Sequence, residues 1–365
     1  MIRTFVLGCA LLAATELFAE ESGFRPLFNG QDLSGWHVVN TAPSTWSFNE
    51  EGYLVCSGKP IGEIRTERML QNFIVEVEWR HLVPGGNAGI FVWADDISAR
   101  GQPFIRGVEV QVLDTAYGES KSHTTHGDIF PIHGASMTPE NGRGGSRAFP
   151  LENRSKPSPE WNHYRVECRD GTVTLSVNGK VVTVGHDCIP RRGYLCLESE
   201  GGLVHWRNAR IQELADTPID PAHIAIEDRG YRCLYNGVDF SGWKLAKGWI
   251  SRDWEFVNEA GAGPLACEEP IFGDFGFIVD LQLQADSGTP KLSVRGKEIP
   301  IDPGNPLLEK AGKYNRLEGT VIGDTLSLQI NGKPAGTYPE IPSEGTFGLT
   351  PDGPAIWANP YARSL

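Results

Sequence analysis

Positive charge is scarce in this 365-residue chain: 33 Lys and Arg stand against 46 Asp and Glu, for a net charge of -13. So acidic a protein is a poor partner for phosphate backbones or anionic lipid, which argues against nucleic acid and for a neutral or polar small molecule. Apolar runs long enough to cross a bilayer are absent, so no membrane span is expected. Long 3.6-residue periodicity is also nearly missing, which excludes a helical architecture. The seven cysteines follow no metal-binding spacing, and there is no P-loop, dinucleotide fingerprint or Ser-His-Asp signature. Nothing in the sequence points to a cofactor; oxygen ligands are plentiful enough to admit Ca²⁺, but no dedicated Ca²⁺ loop is present.

The N-terminus, MIRTFVLGCALLAATELFAEES, has the layout of a secretory signal. Arg3 precedes an apolar run, and the small Ala19 precedes a charged stretch, so residues 1–19 are expected to be removed and the protein exported to the periplasm or beyond. Cys9 comes too early, after a poorly matching Val6-Leu7, to favour a lipoprotein. Six cysteines remain downstream, an even number compatible with buried thiols and one or two bridges.

What fills the chain is strand signal. FIVEVEWR (residues 73–80), GIFVWAD (89–95), VEVQVLD (108–114) and HYRVEC (163–168) alternate apolar and polar positions at least in part, and TVTLSVNGKVVTV (172–184) places Asn178-Gly179 between two strand-like runs, a hairpin signature. Many short antiparallel strands without helices predict an all-β sandwich. The pattern also occurs twice. LFNGQDLSGW (27–36) returns as LYNGVDFSGW (234–243), identical at seven of ten positions. NHYRVECRDGTVTLSVNGK (162–180) returns as NRLEGTVIGDTLSLQINGK (315–333). This predicts a first domain over residues 22–215, a Pro-containing linker over 216–230 and a second copy over 231–365. The second is shorter: Asn29 to Asn178 spans 149 residues and Asn236 to Asn331 spans 95, so 54 residues are missing from its middle. In the repeated phrase, Trp36 and Trp243 are expected as core anchors, with Asp32 and Asp239 bonding turn amides.

The stretch the second copy lacks holds the candidate site. In RGVEVQVLD, Glu109 and Gln111 share one strand face and Val108, Val110 and Val112 the other; Glu76, Glu78 and Arg80 share a face in the same way. With Phe91 and Trp93 nearby, carboxylates, amide, guanidinium and aromatic rings form a mixture suited to sugar, although an ordinary solvated sheet face would account for the spacing too. HTTHGDIFPIHG (123–134) adds His123, His126 and His133 on a loop, a spacing compatible with a metal site, with acid–base work or with turn capping. Residues 140–162, rich in Gly and Arg, read as a rim over the cleft or as an insertion.

Taken in order, FRPLFNGQDLSGW, NFIVEVEWR, GGNAGIFVWAD, RGVEVQVLD, EWNHYRVECRDGTVTLSVNGKVV and GYLCLESEGGLVHWRNARIQEL resemble the 3-keto-disaccharide hydrolase family over residues 24–214, and in part over 231–365. The resemblance implies concanavalin A-like jelly-roll sandwiches, two here with the second shortened and non-catalytic, and a glycoside substrate already oxidised at C3. The C3 ketone acidifies the C2 hydrogen, so a base removes that proton while an acid protonates the departing oxygen; elimination followed by hydration is net hydrolysis. On this reading Glu109 or His126 is the base, Glu78 the acid, and Arg80, Asn87, Trp93, Gln111, Asp114 and Glu198 bind the sugar. The chain departs from the family pattern in three places: Asn87-Ala88-Gly89 replaces Asn-Ser-Gly, Trp93 stands where Arg is usual, and Glu198-Ser199-Glu200-Gly201 replaces Gln-Ser-His-Gly. The alternative is a non-catalytic, lectin-like glycan binder on the same fold. Oligomeric state is not legible.

Overall fold

The computed structural model describes residues 23–365, so the expected signal segment lies outside the described residues. Strands dominate them; the helical content is three single 3₁₀ turns, Pro43–Thr45, Thr115–Tyr117 and Pro221–His223. All strands pair antiparallel and form four sheets stacked as two jelly-roll sandwiches.

In the first sandwich a nine-stranded sheet runs Ser136–Pro139, Lys180–Ile189, Thr172–Val177, Asn162–Arg169, Phe73–His81, Val204–Glu213, Leu54–Cys56, Trp46–Phe48, with Phe24–Pro26 also pairing Val204–Glu213. It faces a six-stranded sheet of Trp36–Val38, Gly62–Thr66, Tyr194–Ser199, Asn87–Ala94, Gly107–Leu113 and Ile129–Ile132. Period-2 alternation builds the core between them: Val75, Val77 and Trp79 from one sheet meet Ile90, Val108, Val110 and Val112 from the other.

The second sandwich has the same order in shorter form. Trp249–Arg252, Glu255–Asn258, Ala355–Ser364, Phe275–Leu283, Tyr314–Ile322, Thr325–Ile330 and Lys333–Tyr338 form the large sheet, joined by Arg232–Cys233. Trp243–Lys244, Leu265–Cys267, Phe347–Thr350, Lys291–Val294 and Lys297–Pro300 form the small one. The repeated phrases make the same contacts. Asn29 donates to Asp32 at 2.7 Å and Asn236 to Asp239 at 2.8 Å. The indole N–H groups of Trp36 and Trp243 donate to the carbonyls of Leu27 (3.0 Å) and Leu234 (2.7 Å), pinning each buried ring under its own turn. The hairpin asparagines match as well, Asn178 to Asn162 at 3.0 Å and Asn331 to Asn315 at 2.9 Å. Among the described residues the second sandwich has no strand in the place of Ile129–Ile132, and the hairpin of Lys291–Val294 with Lys297–Pro300 is all that stands for the first sandwich's middle.

A third, smaller cluster joins the sandwiches: Ile278 and Tyr361 of the second pack with Phe91, Ile97, Ile105 and Tyr194 of the first. All six described cysteines are free thiols, five of them buried, rather than a mixture with bridges.

One expected cleft residue turns inward. Alternation from Gly89 and Phe91 would point Trp93 outward, but the ladder to Tyr194–Ser199 shifts register here, pairing Phe91 with Cys196 and Ala94 with Tyr194. Trp93 takes the extra position with φ 55°, which flips its side chain into the core. Its ring is fully buried edge-on to Phe73, and its N–H donates to the carbonyl of Gln71 at 2.8 Å. Trp93 is therefore a core residue and lies outside the cavity lining. Trp93→Ala is expected to cost about 3–5 kcal/mol of stability in urea unfolding while leaving ligand affinity of the folded fraction unchanged; a selective loss of affinity would contradict this placement.

Candidate functional site

The outer face of the six-stranded sheet, away from the core, carries the polar cluster. Along Gly107–Leu113 the three valines go in, and Glu109 and Gln111 go out, as the alternation requires. Along Tyr194–Ser199, Leu195 and Leu197 go in and Glu198 goes out. The strand between them, Asn87–Ala94, contributes Gly89 at the point where the two carboxyls converge. A Cβ at Gly89 would lie 2.9 Å from Oε1 of Glu109 and 2.9 Å from Oε2 of Glu198, so the missing side chain is the space they occupy. Glu200 joins them from the strand end, where its short pairing with Asn87 lets the Asn87 amide donate to its carboxylate. Gln111 donates in turn to Oδ1 of Asn87 at 2.9 Å.

These groups line a cavity of about 370 Å³. Gln102 and Phe104 form one wall, Tyr117 and His123 another, and His133 and Arg147 close the rest. The guanidinium of Arg147 lies 3.4 Å from the centre of the Phe130 ring and donates to the buried Asp128 at 3.1 Å and to Gln111 at 3.5 Å. Asp128 also accepts from the Thr124 amide at 2.8 Å.

The electrostatics are unusual. Burial pushes Glu109 well above the ordinary carboxylate range; the charge on Glu200 adds to this and Arg147 opposes it. Burial does the same to Glu198, reinforced by Glu109, Glu200 and the neighbouring Glu63. Oε2 of Glu198 and Oε2 of Glu63 are buried with no side-chain or backbone hydrogen-bond partner, which disfavours the charged form of each. Glu200 is less enclosed; burial raises it to about 7, moderated by the Asn87 hydrogen bond. Three carboxyls thus share one cavity in at least two protonation regimes at neutral pH. Burial lowers His133, which stacks on Phe104 with centroids 6.3 Å apart.

Three larger clefts exist among the described residues, about 870 Å³ around Trp36 and Tyr231, about 710 Å³ on the outer face of the nine-stranded sheet, and about 730 Å³ lined by Arg25, Trp36 and Arg68. Their principal charges already have partners, Arg65 with Asp228 at 2.9 Å in the first, Glu78 with Arg207 at 2.6 Å in the second, and Arg25 and Arg68 with Glu213 in the third. Convergent carboxyls, rather than volume, single out the smaller cavity.

The structure brings together Glu109, Gln111, Asn87 and Glu198 of the residues expected from sequence. It separates the others. Glu78 and Arg80 lie on the outer face of the nine-stranded sheet, across the core, where Glu78 pairs with Arg207 and Arg80 stacks 4.5 Å over Trp161; neither reaches Glu109. Glu76, Glu78 and Arg80 do share one strand face, but that face belongs to the other sheet. His126 is buried behind the cavity and paired to Glu119, with Thr125 3.3 Å from its Nδ1. Asp114 is a loop anchor: burial raises its pKa, but amide donors at Gly85 (2.8 Å), Ala116 (3.0 Å) and Ser158 (2.7 Å) outweigh that and hold it low. Glu200, Arg147 and Gly89 complete the site without having been singled out for it by the sequence, and His123 and His133, two of the three loop histidines, line it as well. Glu200 stood beside Glu198 in the altered ESEG stretch, and Arg147 in the segment read as rim or insertion. Among the described residues no group of three or more His, Cys, Asp and Glu is arranged to hold a metal ion.

A folded-state value near 7 for Glu200 means that the folded protein holds this proton more tightly than the unfolded chain, whose value is near 4.5. The contribution of Glu200 to stability is therefore greatest below about 4.5 and is lost as pH rises towards 7, and the raised values of Glu109 and Glu198 act in the same direction. Glu200→Gln should flatten this decline between pH 4.5 and 7 in melting temperatures measured against pH; a parallel curve would show that Glu200 titrates normally.

The sequence profile of the 3-keto-alpha-glucoside-1,2-lyase-like domain matches residues 23–212. No curated protein matches the chain. Among solved structures, a Parabacteroides distasonis protein with a provisional glycosyl hydrolase name is 23% identical, with TM-score 0.41, over 53% of this chain and 94% of its own. The carbohydrate-binding module CBM66 of Bacillus subtilis is 14% identical, with TM-score 0.37, over 50% of this chain and 98% of its own. The β-glucanase of Bacillus licheniformis is 13% identical, with TM-score 0.35, over 53% and 97%. By the profile match, which spans the whole first sandwich and every wall of the cavity, this chain belongs to the 3-keto-alpha-glucoside-1,2-lyase-like domain family and is a carbohydrate-active protein.

Proposed function

We propose that the protein is an exported enzyme that cleaves glycosides already oxidised at C3, by elimination across C1–C2 followed by hydration. The observation that carries this reading is the convergence of three carboxyls on one cavity; burial raises two of them well above the ordinary carboxylate range and the third to about 7. Elimination asks for that division of labour.

Glu200 is the base: with a value of about 7 it is substantially ionised at neutral pH and the most accessible of the three. It takes the C2 proton, whose loss gives an enolate on the C3 oxygen. Arg147, whose side chain is about one-quarter exposed, supplies positive charge for that oxygen, and Asn87 and Gln111 hold ring hydroxyls. Collapse of the enolate forms the C1=C2 bond and expels the C1 oxygen, which takes its proton from Glu109. Water then adds across the double bond, OH to C1 and H to C2, so the sum is hydrolysis. Two carboxylates flanking an anomeric centre, as ordinary glycosidases use, are not needed. Tyr117, Phe104 and His133 offer rings against which a sugar can lie. The second sandwich has no such cluster in the equivalent hairpin: Glu298 is solvent-facing and spent on Lys291 at 3.3 Å and Thr350 at 2.9 Å.

Matched glucosides, plain and C3-oxidised, followed by mass spectrometry, test the reading. The expected result is cleavage of the oxidised member alone, with a rate that rises through pH 7 and falls on the order of 10²–10⁴-fold in Glu200→Gln. Saturable binding without cleavage at any pH would establish the lectin-like alternative instead, and neither binding nor cleavage would overturn both.

A further inference from the structure

We propose that the second sandwich is a positioning element of this site: through Asp280, Arg316 and Asn359 it holds the hairpin of residues 98–105 that forms one wall of the cavity.

The hairpin is closed by the Ser98–Ile105 pairing and by the Ala99 amide donating to Phe104 at 2.8 Å. Its tip presents Gln102 and Phe104 to the cavity. Phe104 packs edge-on to Phe91 and stacks on His133, so the position of the tip decides where that aromatic wall stands. The first sandwich supplies two side-chain tethers from outside the hairpin: Asn40 donates to the Pro103 carbonyl at 2.8 Å, and Glu63 accepts from the Ile105 amide at 3.0 Å.

The second sandwich supplies the rest. Arg316 donates to the Ser98 carbonyl at 2.9 Å, Asn359 to the Gln102 carbonyl at 2.9 Å, and Tyr361 to Oγ of Ser98 at 3.0 Å. Asp280 accepts from the Gly101 amide at 2.9 Å. Asp280 is fully buried and shares its two oxygens with Arg316 (2.8 and 2.9 Å) and Asn359 (2.8 Å), so the carboxylate that grips the hairpin is itself fixed by a bidentate pair. Gly101 has φ +63°, and any Cβ there would meet Tyr314 at 2.5 Å, so the contact is one of backbone against ring with no slack. Loss of these partners leaves buried peptide groups unpaired, which the hairpin relieves by moving. None of Asp280, Arg316 or Asn359 touches the cavity; they act through Gln102 and Phe104.

The consequence for turnover rests on the 3-keto-glycoside reading, whereas the placement of the hairpin does not, and the test separates them. Two variants of the full chain approach the contact from opposite sides: the double change Arg316→Met/Asp280→Asn, which avoids stranding a single buried charge, and Gly101→Ala. In both, amide exchange at residues 99–102 should rise roughly tenfold or more, and the ring-proton shifts of His133, assigned by its loss in His133→Gln, should move towards those of an unstacked imidazole. On the C3-oxidised glucoside KM should rise roughly tenfold with kcat within about twofold. Unchanged exchange and an unchanged His133 signal in folded variants overturn the proposal, as does a loosened hairpin with an unchanged KM. If the unmodified protein neither binds nor cleaves that glucoside, the functional reading falls while exchange and the His133 signal still decide whether the second sandwich sets the wall.

Discussion

Burying carboxyls side by side in a β-sheet is the constraint around which the site is organised. It is met through a vacancy: Gly89, on the strand between Glu109 and Glu198, leaves open the volume into which both carboxyls lean. Any larger residue would push them apart across the strand, and a solvated pair would relax to ordinary acidity. Because the space is enclosed, each carboxyl is forced towards its neutral form, and the group at the rim, Glu200, is left as the one whose charge changes near pH 7.

The surroundings follow from that constraint. A cavity holding neutral acids needs its fixed charge nearby and controlled, and Arg147 is held by Asp128 on one side and the Phe130 ring on the other. Asp128 is tied by the Thr124 amide, so the loop that follows Gly107–Leu113 is shaped to deliver one guanidinium to the cavity edge. His126 and Asp114, the other polar residues of that region, serve its architecture. One buttresses the loop through Glu119, and the other gathers three backbone amides. Enclosure also depends on the far wall, which the first sandwich does not hold unaided: the Ser98 and Gln102 carbonyls and the Gly101 amide find their partners on the second sandwich. The shorter second sandwich, whose Asp280 and Glu298 are spent on other partners, thereby still contacts the wall of the cavity next door.

Much of this was legible in the sequence because it depends on local periodicity. Alternation placed Val108, Val110 and Val112 inside and Glu109 and Gln111 outside, and the repeated Asn-Gly phrases marked turns whose hydrogen bonds recur in both sandwiches. Trp93 shows where such reasoning stops. A single left-handed residue reverses the face of everything after it, and a tryptophan carries no sign of φ 55°. Glu78 and Arg80 show a second limit, since alternation tells which residues share a face but not which sheet the strand joins.

The sequence by itself determined the strand content, the twofold framework, the shorter middle of the second copy and the family, since each is written in patterns a few residues long or in their order along the chain. Only the tertiary structure decided the site. Glu109, Arg147 and the Glu198–Glu200 pair come from three segments far apart in the chain, and their meeting depends on the order of strands in one sheet and on a loop folded over it. Their acidity depends on burial, which belongs to the assembled sheet and not to any residue. The grip of Asp280 and Arg316 on a hairpin of the other sandwich arises only when two separately readable units are docked, because a hydrogen bond to a backbone carbonyl leaves no mark on the identity of the residue that accepts it.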